Sequence, residues 1–413
     1  MVRKSILIIG YVWVEPTTSA AGMRMLQLID FFLAANYSVI FASPAQKSSK
    51  TLILENPNYS EASIVLNSSC FDTFVTKVNP SVVLFDRFMM EEQFGWRVAK
   101  CCPNALRILD TEDLHFLRKV RQEQVQKNIP FSENALLRSD YAKREIAAIL
   151  RCDLSLIISS YEMALLTTSF NIASDLLLYL PFFIPEITKS DSAAWLPFEE
   201  RKDFIFVGNF LHAPNVDAAV QLKKQHWDKI RKKNPQAKLH IYGAYGTQQI
   251  QEFHKPKQGF LVHGYVNDIK TEVGKARVVL APLRFGAGIK GKLTEAMTCG
   301  TPSVTTEIGA EGMHKDLAWN GFVSITENDF IDDATTLYTD KKNWEIAQKN
   351  GISIVNTIYN ETALAAVFLE KLNALETDLS AHRRRNFMGA LLQYQTLQST
   401  KYMSKWIEEK NKR

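Results

Sequence analysis

The sequence contains little cysteine and has no histidine cluster. Its five cysteines are odd in number, and neither they nor the eight histidines have the spacing of a disulfide framework or a zinc site. This scarcity argues against a disulfide-stabilised scaffold and predicts a reducing compartment, which we take to be the cytoplasm. The cysteines are Cys70, Cys101, Cys102, Cys152 and Cys299.

Long hydrophobic runs are also missing. The apolar stretch Ser5–Val14 follows basic residues and has some features of a signal peptide, but it is too short to span a membrane. Glu15 and Pro16 stand where a cleavage site would need small residues, so a first buried strand is the better interpretation. We find no transmembrane segment and no internal repeat of solenoid length. The hydrophobic share of 46% and charged share of 23% are typical of a soluble globular protein, and 413 residues suffice for two domains.

Short apolar runs alternate with helical stretches along most of the chain. This alternation is typical of parallel α/β sheets, which place functional groups at the carboxyl ends of their strands. Periodicity stops in Ile184–Arg201, which is rich in proline, serine and charge and predicts a hinge between two domains. A helix is expected at Met23–Ala35. The predicted strands are Ser5–Trp13, Tyr37–Ala42, Ser63–Leu66, Ser81–Phe85, Ala105–Leu109, Leu154–Ile158, Leu176–Leu180, Asp203–Val207, Lys238–Tyr242, Gly259–His263, Val278–Ala281 and Ser303–Thr306.

The segment Arg277–Met313 carries the most specific pattern. A buried strand ends at Pro282, a loop with three glycines follows, and a short helix is predicted from about Lys292 to Cys299. A glycine loop that leads into a helix aims free backbone N–H groups and a positive dipole end at an anion. Lysines 290 and 292 add two cations, so the segment predicts a diphosphate-binding site.

The letters G-A-G-I-K-G also satisfy the dinucleotide fingerprint G-x-G-x-x-G, with Glu307 or Glu311 as the following acid. In that fingerprint the first glycine lies in the tight turn directly after the strand. Here Leu283, Arg284 and Phe285 intervene, and the following helix is short. A nicotinamide-dependent oxidoreductase therefore stays a third alternative.

The run A-P-L-R-F-G-A-G-I-K-G-K-L-T-E-A-M-T-C-G-T-P, followed by G-A-E-G, resembles the donor-binding segment of retaining GT-B glycosyltransferases of the family 4 type. The resemblance implies two Rossmann-like domains that face each other across a cleft. It assigns residues 1–185 to acceptor binding, 186–202 to the hinge, 203–375 to nucleotide-sugar binding and 376–413 to a basic helical tail. It further implies transfer of a sugar from a nucleoside diphosphate to an acceptor hydroxyl with retention of configuration, and it implies no cofactor and no bound metal.

The same resemblance assigns the donor site. Glu295 would accept hydrogen bonds from the ribose diol, although an acid in a helix's first turn also suits the dipole. Lys290 would stabilise the leaving diphosphate, and we expect little core around its side chain. Many family members have Arg and Lys where Asn209 and Pro214 stand here, and a glutamate where this chain has Ala287. The predicted donor-binding residues are Gly208, Asn209, Arg284, Gly286, Gly288, Lys290, Lys292 and Glu295.

Charged and aromatic residues follow two strands of the first predicted domain, in Asp86–Trp96 and Asp110–Arg118. Acids that complement a helix dipole explain part of this pattern. They do not explain His115, and by resemblance a histidine in this region approaches the donor sugar, so we predict catalytic roles for His115 and Lys290. Glu162 is interpreted as half of a capping box with Ser159. The predicted acceptor-binding residues are Asp86, Arg87, Glu91, Trp96 and Asp110.

The excess positive charge is concentrated at the end of the chain. Residues 378–413 hold eight cations and three acids, which equals the +5 of the whole sequence. The tail is predicted to pack on the first domain with a solvated basic face, or to contact an anionic membrane that carries a lipid-linked acceptor. A nucleic-acid partner is not expected without a basic surface elsewhere.

Together these patterns predict a cytoplasmic hexosyltransferase that uses a nucleotide-sugar donor in glycan or cell-surface polysaccharide synthesis. The acceptor would be a glycan, a lipid-linked saccharide or a protein. A catalytically silent GT-B protein that binds sugars or serves as a partner subunit is the alternative, because one acid and two cations of the family pattern are missing.

Overall fold

The protein, in a computed structural model, contains two parallel β-sheets with helices on both faces. The structure describes residues 3–411, with the backbone alone at 396–398, so Lys412 and Arg413 of the basic tail lie outside the described residues. The first sheet has the order β3-β2-β1-β4-β5-β6-β7 and the second the order β10-β9-β8-β11-β12-β13. The predicted α/β class and the two-domain, Rossmann-like GT-B architecture are confirmed.

The first sheet begins the chain, and apolar side chains cover both of its faces because every strand in it is parallel to its neighbours. Its strands are β1 (Ser5–Ile9), β2 (Ser38–Ser43), β3 (Tyr59–Ser63), β4 (Val82–Asp86), β5 (Leu106–Asp110), β6 (Leu154–Ile157) and β7 (Leu177–Tyr179). Its helices are α1 (Ala20–Ala34), α2 (Cys70–Val78), α3 (Phe88–Cys101), α4 (His115–Gln126), α5 (Glu133–Leu137), α6 (Asp140–Arg151) and α7 (Ser160–Thr168), with a 3-10 turn at Ser174–Leu176.

The second sheet follows a connection that contains the short helix α8 (Lys189–Ala193), where the sequence predicts only a hinge. A π-helical turn at Leu222–His226 and a 3-10 turn at Pro256–Gln258 lie between its elements. The strands are β8 (Lys202–Val207), β9 (Leu239–Tyr242), β10 (Phe260–Gly264), β11 (Ala276–Ala281), β12 (Ser303–Thr306) and β13 (Gly321–Ser324). The helices are α9 (Ala213–Gln221), α10 (Trp227–Lys233), α11 (Gln248–Glu252), α12 (Ile269–Lys275), α13 (Gly291–Thr298), α14 (Glu307–Ala310), α15 (Glu327–Thr339) and α16 (Lys341–Ile358).

After α16 the chain returns to the first sheet. Ile184 and Tyr359, at the outgoing and returning crossings, are joined by a hydrogen bond of 2.8 Å from the Ile184 N–H to the Tyr359 carbonyl. Helix α17 (Glu361–Thr377) then buries Phe368 and Leu372 against the face of the first sheet that carries α1. Helix α18 (Leu379–Arg385) leads into α19 (Phe387–Asn411), which packs on α3 and α6.

Most predicted strands agree with the structure to within one or two residues, and β12 agrees at both ends. Strand β1 is shorter than predicted, because the chain turns away from the sheet after Ile9. Strand β3 precedes the predicted stretch: Tyr59–Ser63 pairs with β2 although it contains polar residues. Strand β13 was not predicted; it is an edge strand that begins with a glycine at φ 132°.

Candidate functional site

The strand order of each sheet reverses once, between β1 and β4 in the first and between β8 and β11 in the second. In open α/β sheets ligands bind at such switch points, outside the carboxyl ends of the strands. Here the two switch points face each other. The Asn209 side-chain amide, after β8, donates to the Thr18 carbonyl, after β1, at 3.1 Å. A side chain on Gly291 at the start of α13 would place its Cβ 2.6 Å from the Cβ of Ala20 at the start of α1.

Lys290 lies at the end of the glycine loop, directly before α13. Its side chain is only 8% exposed, and its ammonium donates to the Gly288 carbonyl at 2.8 Å. The expectation that little core surrounds it is wrong, because the first domain closes over the loop. Burial lowers the pKa of Lys290 to about 8, against the opposing attraction of Glu311.

Lys292 lies in the first turn of α13 and contacts α9. Its ammonium donates to the Asn215 side-chain oxygen and lies 5.2 Å from the centroid of the Phe206 ring. Burial lowers the pKa of Lys292 to about 7, and the neighbouring Lys290 contributes to that fall. The loop therefore brings two cations and the start of an eight-residue helix to one place, which suits an anion of high charge.

Glu295 lies on the same helix as Lys292 and is part-buried. It does not contact Gly288 or Asn215, the hydrogen-bond partners of the two lysines. Burial raises the pKa of Glu295 to about 7, and the Lys270 ammonium at the start of α12 opposes that rise. A part-buried carboxyl with an elevated pKa gains from a hydrogen-bond donor, and a ribose diol supplies two.

The first domain holds the glycine loop through a buried glutamate. Glu162 on α7 accepts hydrogen bonds from the Gly288 N–H at 2.8 Å and from the Leu114 N–H at 2.9 Å. The predicted capping box is wrong, because the Ser159 side chain makes no capping hydrogen bond and the Glu162 carboxyl points to the loop instead. Burial raises the pKa of Glu162 to about 7.

A second contact between the domains runs through Arg121 on α4. Its guanidinium binds both carboxylate oxygens of Glu311 at 2.7 Å and donates to the Gly286 carbonyl at 2.9 Å. A bidentate pair of this kind fixes geometry as well as charge. Beside it lies an interdomain cavity of about 450 Å³, lined by Tyr161 from the first domain and by Glu311 and Lys315 from the second.

The close approach of the glycine loop to the first domain requires a glycine at position 288. Gly288 has φ 61°, and a Cβ there would lie 2.8 Å from the Cβ of Asp113 in the first domain. Any other residue would strain the backbone and push the domains apart.

A cluster of acids, histidines and arginines faces the loop from the first domain. Asp113 receives a hydrogen bond of 2.5 Å from Arg118 and lies 3.4 Å from the His115 ring nitrogen. Burial raises the pKa of the Asp113 carboxyl, but Arg118 and His115 lower that pKa by more, so the net shift is downward. Burial lowers the pKa of His115 to about 3 and that of His212, which the second domain contributes, to about 4. Both imidazoles are therefore neutral near pH 7.

Two residues beside this cluster have left-handed backbones that glycine would adopt more easily. Arg87 after β4 has φ 70°, and Glu112 after β5 has φ 66°. Such strain concentrates at functional sites. Asp86 accepts from the Tyr11 N–H at 2.9 Å, whereas Asp110 is fully buried and paired with Arg24.

Three predicted site residues do not join this group. Glu91 forms a buried ion pair with Arg151 at the end of α6, and Trp96 lies beside it under α19, so both face the C-terminal helix instead of the cleft. This corrects the prediction that Glu91 and Trp96 bind the acceptor, because α3 turns these residues away from the cleft. Arg284 is bound by Asp217 of α9.

Residues 201–340 match the family model for glycosyl transferases group 1. The matched segment runs from β8 to α15 and contains the glycine loop, both lysines and Glu295. The chain matches none of the curated protein sequences. The sequence does not reveal the roles of three residues of the first domain, because each contacts a partner far along the chain. Arg24 pairs with Asp110, whereas Arg121 and Glu162 bind the glycine loop of the matched segment.

Solved structures share the fold of about nine tenths of the chain. Sucrose-phosphate synthase from Thermosynechococcus elongatus is 16% identical with a TM-score of 0.67, and the match covers 90% of this chain and 99% of that one. The pneumococcal O-GlcNAc transferase GtfA, solved with UDP and GlcNAc, is 12% identical with a TM-score of 0.67 over 92% and 100%. HepE from Anabaena, solved with UDP and glucose, is 15% identical with a TM-score of 0.61 over 90% and 100%.

None of the helices within 3–411 is long and apolar enough to cross a membrane. In that same part of the chain, no three His, Cys, Asp or Glu side chains are grouped so that they could hold a metal ion.

Proposed function

We propose that the protein transfers a hexosyl group from a nucleoside-diphosphate sugar to an acceptor hydroxyl. The observation that carries the proposal is the pair of lysines at the start of α13, one buried and one half-buried, inside a segment that matches group 1 glycosyl transferases. Two cations held in a largely water-excluded cleft suit a diphosphate better than any neutral ligand.

The diphosphate would lie against the first N–H groups of α13, between Lys290 and Lys292. As the glycosidic bond breaks, negative charge builds up on the leaving diphosphate. Preorganised donors act where that charge develops, and their electrostatic stabilisation usually contributes more to catalysis than any other effect. Gly208 and Asn209 would line the opposite wall, and Glu295 would accept hydrogen bonds from the ribose hydroxyls.

The donor sugar would lie between the glycine loop and the cluster around His115. A neutral imidazole can donate to or accept from a sugar hydroxyl, and the Asp113 carboxylate beside it orients the ring. The resemblance to family 4 supports retention of the anomeric configuration, and the UDP and hexoses in the solved neighbours support a UDP-hexose donor.

The acceptor would approach from the first domain near Asp86 and Arg87, whose strand end adjoins the same cluster. Residues 1–185 would thus serve the acceptor and 203–375 the donor, with 186–202 as the hinge. A glycan, lipid-linked saccharide or protein acceptor, and a role in cytoplasmic polysaccharide synthesis, complete the proposal.

A panel of UDP-, GDP- and dTDP-hexoses tests the proposal by release of the nucleoside diphosphate and by NMR of the anomeric proton in the product. At one hundred times its Kd, the correct nucleotide should stabilise the protein by about 2.7 kcal/mol. Glu295→Gln should reduce the preference for UDP over 2′-deoxy-UDP, whereas Lys342→Met, at an exposed position of α16, serves as a control. A protein that binds none of these nucleotides would contradict the proposal.

A further inference from the structure

Helix α19 exposes one apolar face to solvent. Its opposite face is docked: the Ser404 hydroxyl accepts from Arg97 at 3.0 Å, and the Gln393 amide donates to the Arg151 carbonyl at 2.8 Å. The outward residues are large and apolar, and their exposed fractions run from 41% to 72%. They are Phe387, Met388, Leu391, Tyr394, Tyr402, Met403 and Trp406.

These seven residues lie on one side of the helix. At 100° per residue they fall within half of the helix circumference, centred opposite Ser404, in a group of four (387–394) and a group of three (402–406) with Gln395 and Ser399 between them. Scattered single apolar residues are normal on a protein surface, but two such groups on the same side of one helix indicate an interaction site. We call this set of seven the outer face of α19.

Cations accompany the outer face. The Lys401 ammonium lies 5.5 Å from the Tyr402 ring centroid, and the Lys410 ammonium lies 5.3 Å from that of Trp406. Helix α19 itself holds three lysines and two acids, and the three arginines 383–385 of α18 precede it, of which Arg383 is bound to Asp153. Both acids lie near the end of the helix, and one of them, Glu408, binds Ser69 of the first domain.

We propose that the outer face of α19 docks the protein on an anionic lipid surface. Tryptophan, tyrosine and lysine together are typical of membrane interfaces, where the rings enter the headgroup region and the ammonium groups remain at the phosphates. Protein–protein interfaces, by contrast, are depleted of lysine. The cationic edge therefore favours lipid over a second protein as the occupant.

The docking surface lies outside the cleft, so its test does not depend on the donor site. The full-length protein is sedimented with phosphatidylcholine vesicles that contain or lack phosphatidylglycerol. It should bind the anionic vesicles and lose that binding as salt is raised. A triple variant, Phe387→Ser, Tyr394→Ser and Trp406→Ser, should bind more than tenfold more weakly. Each of Lys401→Gln and Lys405→Gln should weaken binding roughly five-fold.

The matched control carries Ile53→Ser and Ile325→Ser, two apolar residues that are 87% and 79% exposed and lie outside α19. It should bind vesicles as the unaltered protein does, and all variants should keep their melting temperature. Failure of the intact protein to bind anionic vesicles would overturn the proposal. So would a dimer in solution that the triple variant abolishes, because a second copy would then cover the outer face.

Discussion

Replacing Lys290 with methionine should stabilise the protein while it damages transfer. The burial that lowers the pKa of Lys290 from its ordinary 10.5 to about 8 costs the charged folded state about 3 kcal/mol near pH 7. Methionine keeps the length of the side chain and removes the charge. The lost hydrogen bond to the Gly288 carbonyl offsets about 1 kcal/mol of that gain, which leaves a net stabilisation of about 2 kcal/mol.

The pH dependence of this gain has a definite sign. Between about pH 8 and 10.5 the unfolded chain still binds the Lys290 proton and the folded protein does not, so the unaltered protein becomes more stable as pH rises. The advantage of Lys290→Met should therefore be complete below pH 8 and disappear near pH 10.5. Urea unfolding of both proteins at several pH values measures it.

Activity should change in the opposite direction. A hydrogen bond to a charged group is worth about 1.5–3 kcal/mol, so kcat/KM should fall roughly ten- to hundred-fold. The leaving diphosphate gains its additional negative charge only in the transition state. We therefore expect kcat to fall and KM to rise. Lys342→Met should change neither stability nor rate. If Lys290→Met destabilises the protein at pH 7 and keeps full activity, the electrostatic reasoning is refuted.

Three other outcomes are expected. The Kd for UDP, measured by calorimetry, should increase as pH rises from about 7 to 9, because Lys290 and Lys292 lose their protons. A Kd that does not change with pH would contradict their contact with the diphosphate. Arg121→Lys should lower kcat/KM about tenfold, since lysine cannot form the bidentate pair that holds the loop; unchanged kinetics would make that pair merely structural. His115→Ala should lower kcat, whereas Trp96→Ala should lower the urea midpoint and leave the acceptor KM unchanged; a raised KM would return Trp96 to the cleft.

Local patterns predict most of the strands and the α/β class. Buried parallel strands such as β4 and β11 consist of continuous apolar residues, and such runs are visible without knowledge of their neighbours. Strand β3 was not predicted, because Tyr59–Ser63 is extended through its pairing with β2 and not through its own composition. Propensity in strands depends strongly on such context.

The site was predictable where one short segment builds it. The glycine loop, Lys290 and Lys292 could be inferred together because the local chain positions them. Glu162 was assigned to its own helix terminus, since a sequence shows neighbours at three residues' distance but not a partner more than a hundred residues away. Trp96 was assigned to the cleft because the direction in which a helix turns its side chains depends on what packs around it.

The contacts between the first domain and the glycine loop limit which chimeric proteins can be built from this chain. Arg121 and Glu162 of the first domain bind backbone atoms of Gly286 and Gly288 in the second. A glycine loop in a chimeric protein presents the same backbone atoms, but the two side chains must come from the first domain. A chimera that joins residues 203–375 of this chain to a foreign first domain would therefore leave a carbonyl and an N–H of the loop without these partners. Donor specificity should transfer between relatives only when α4 and α7 move with the loop.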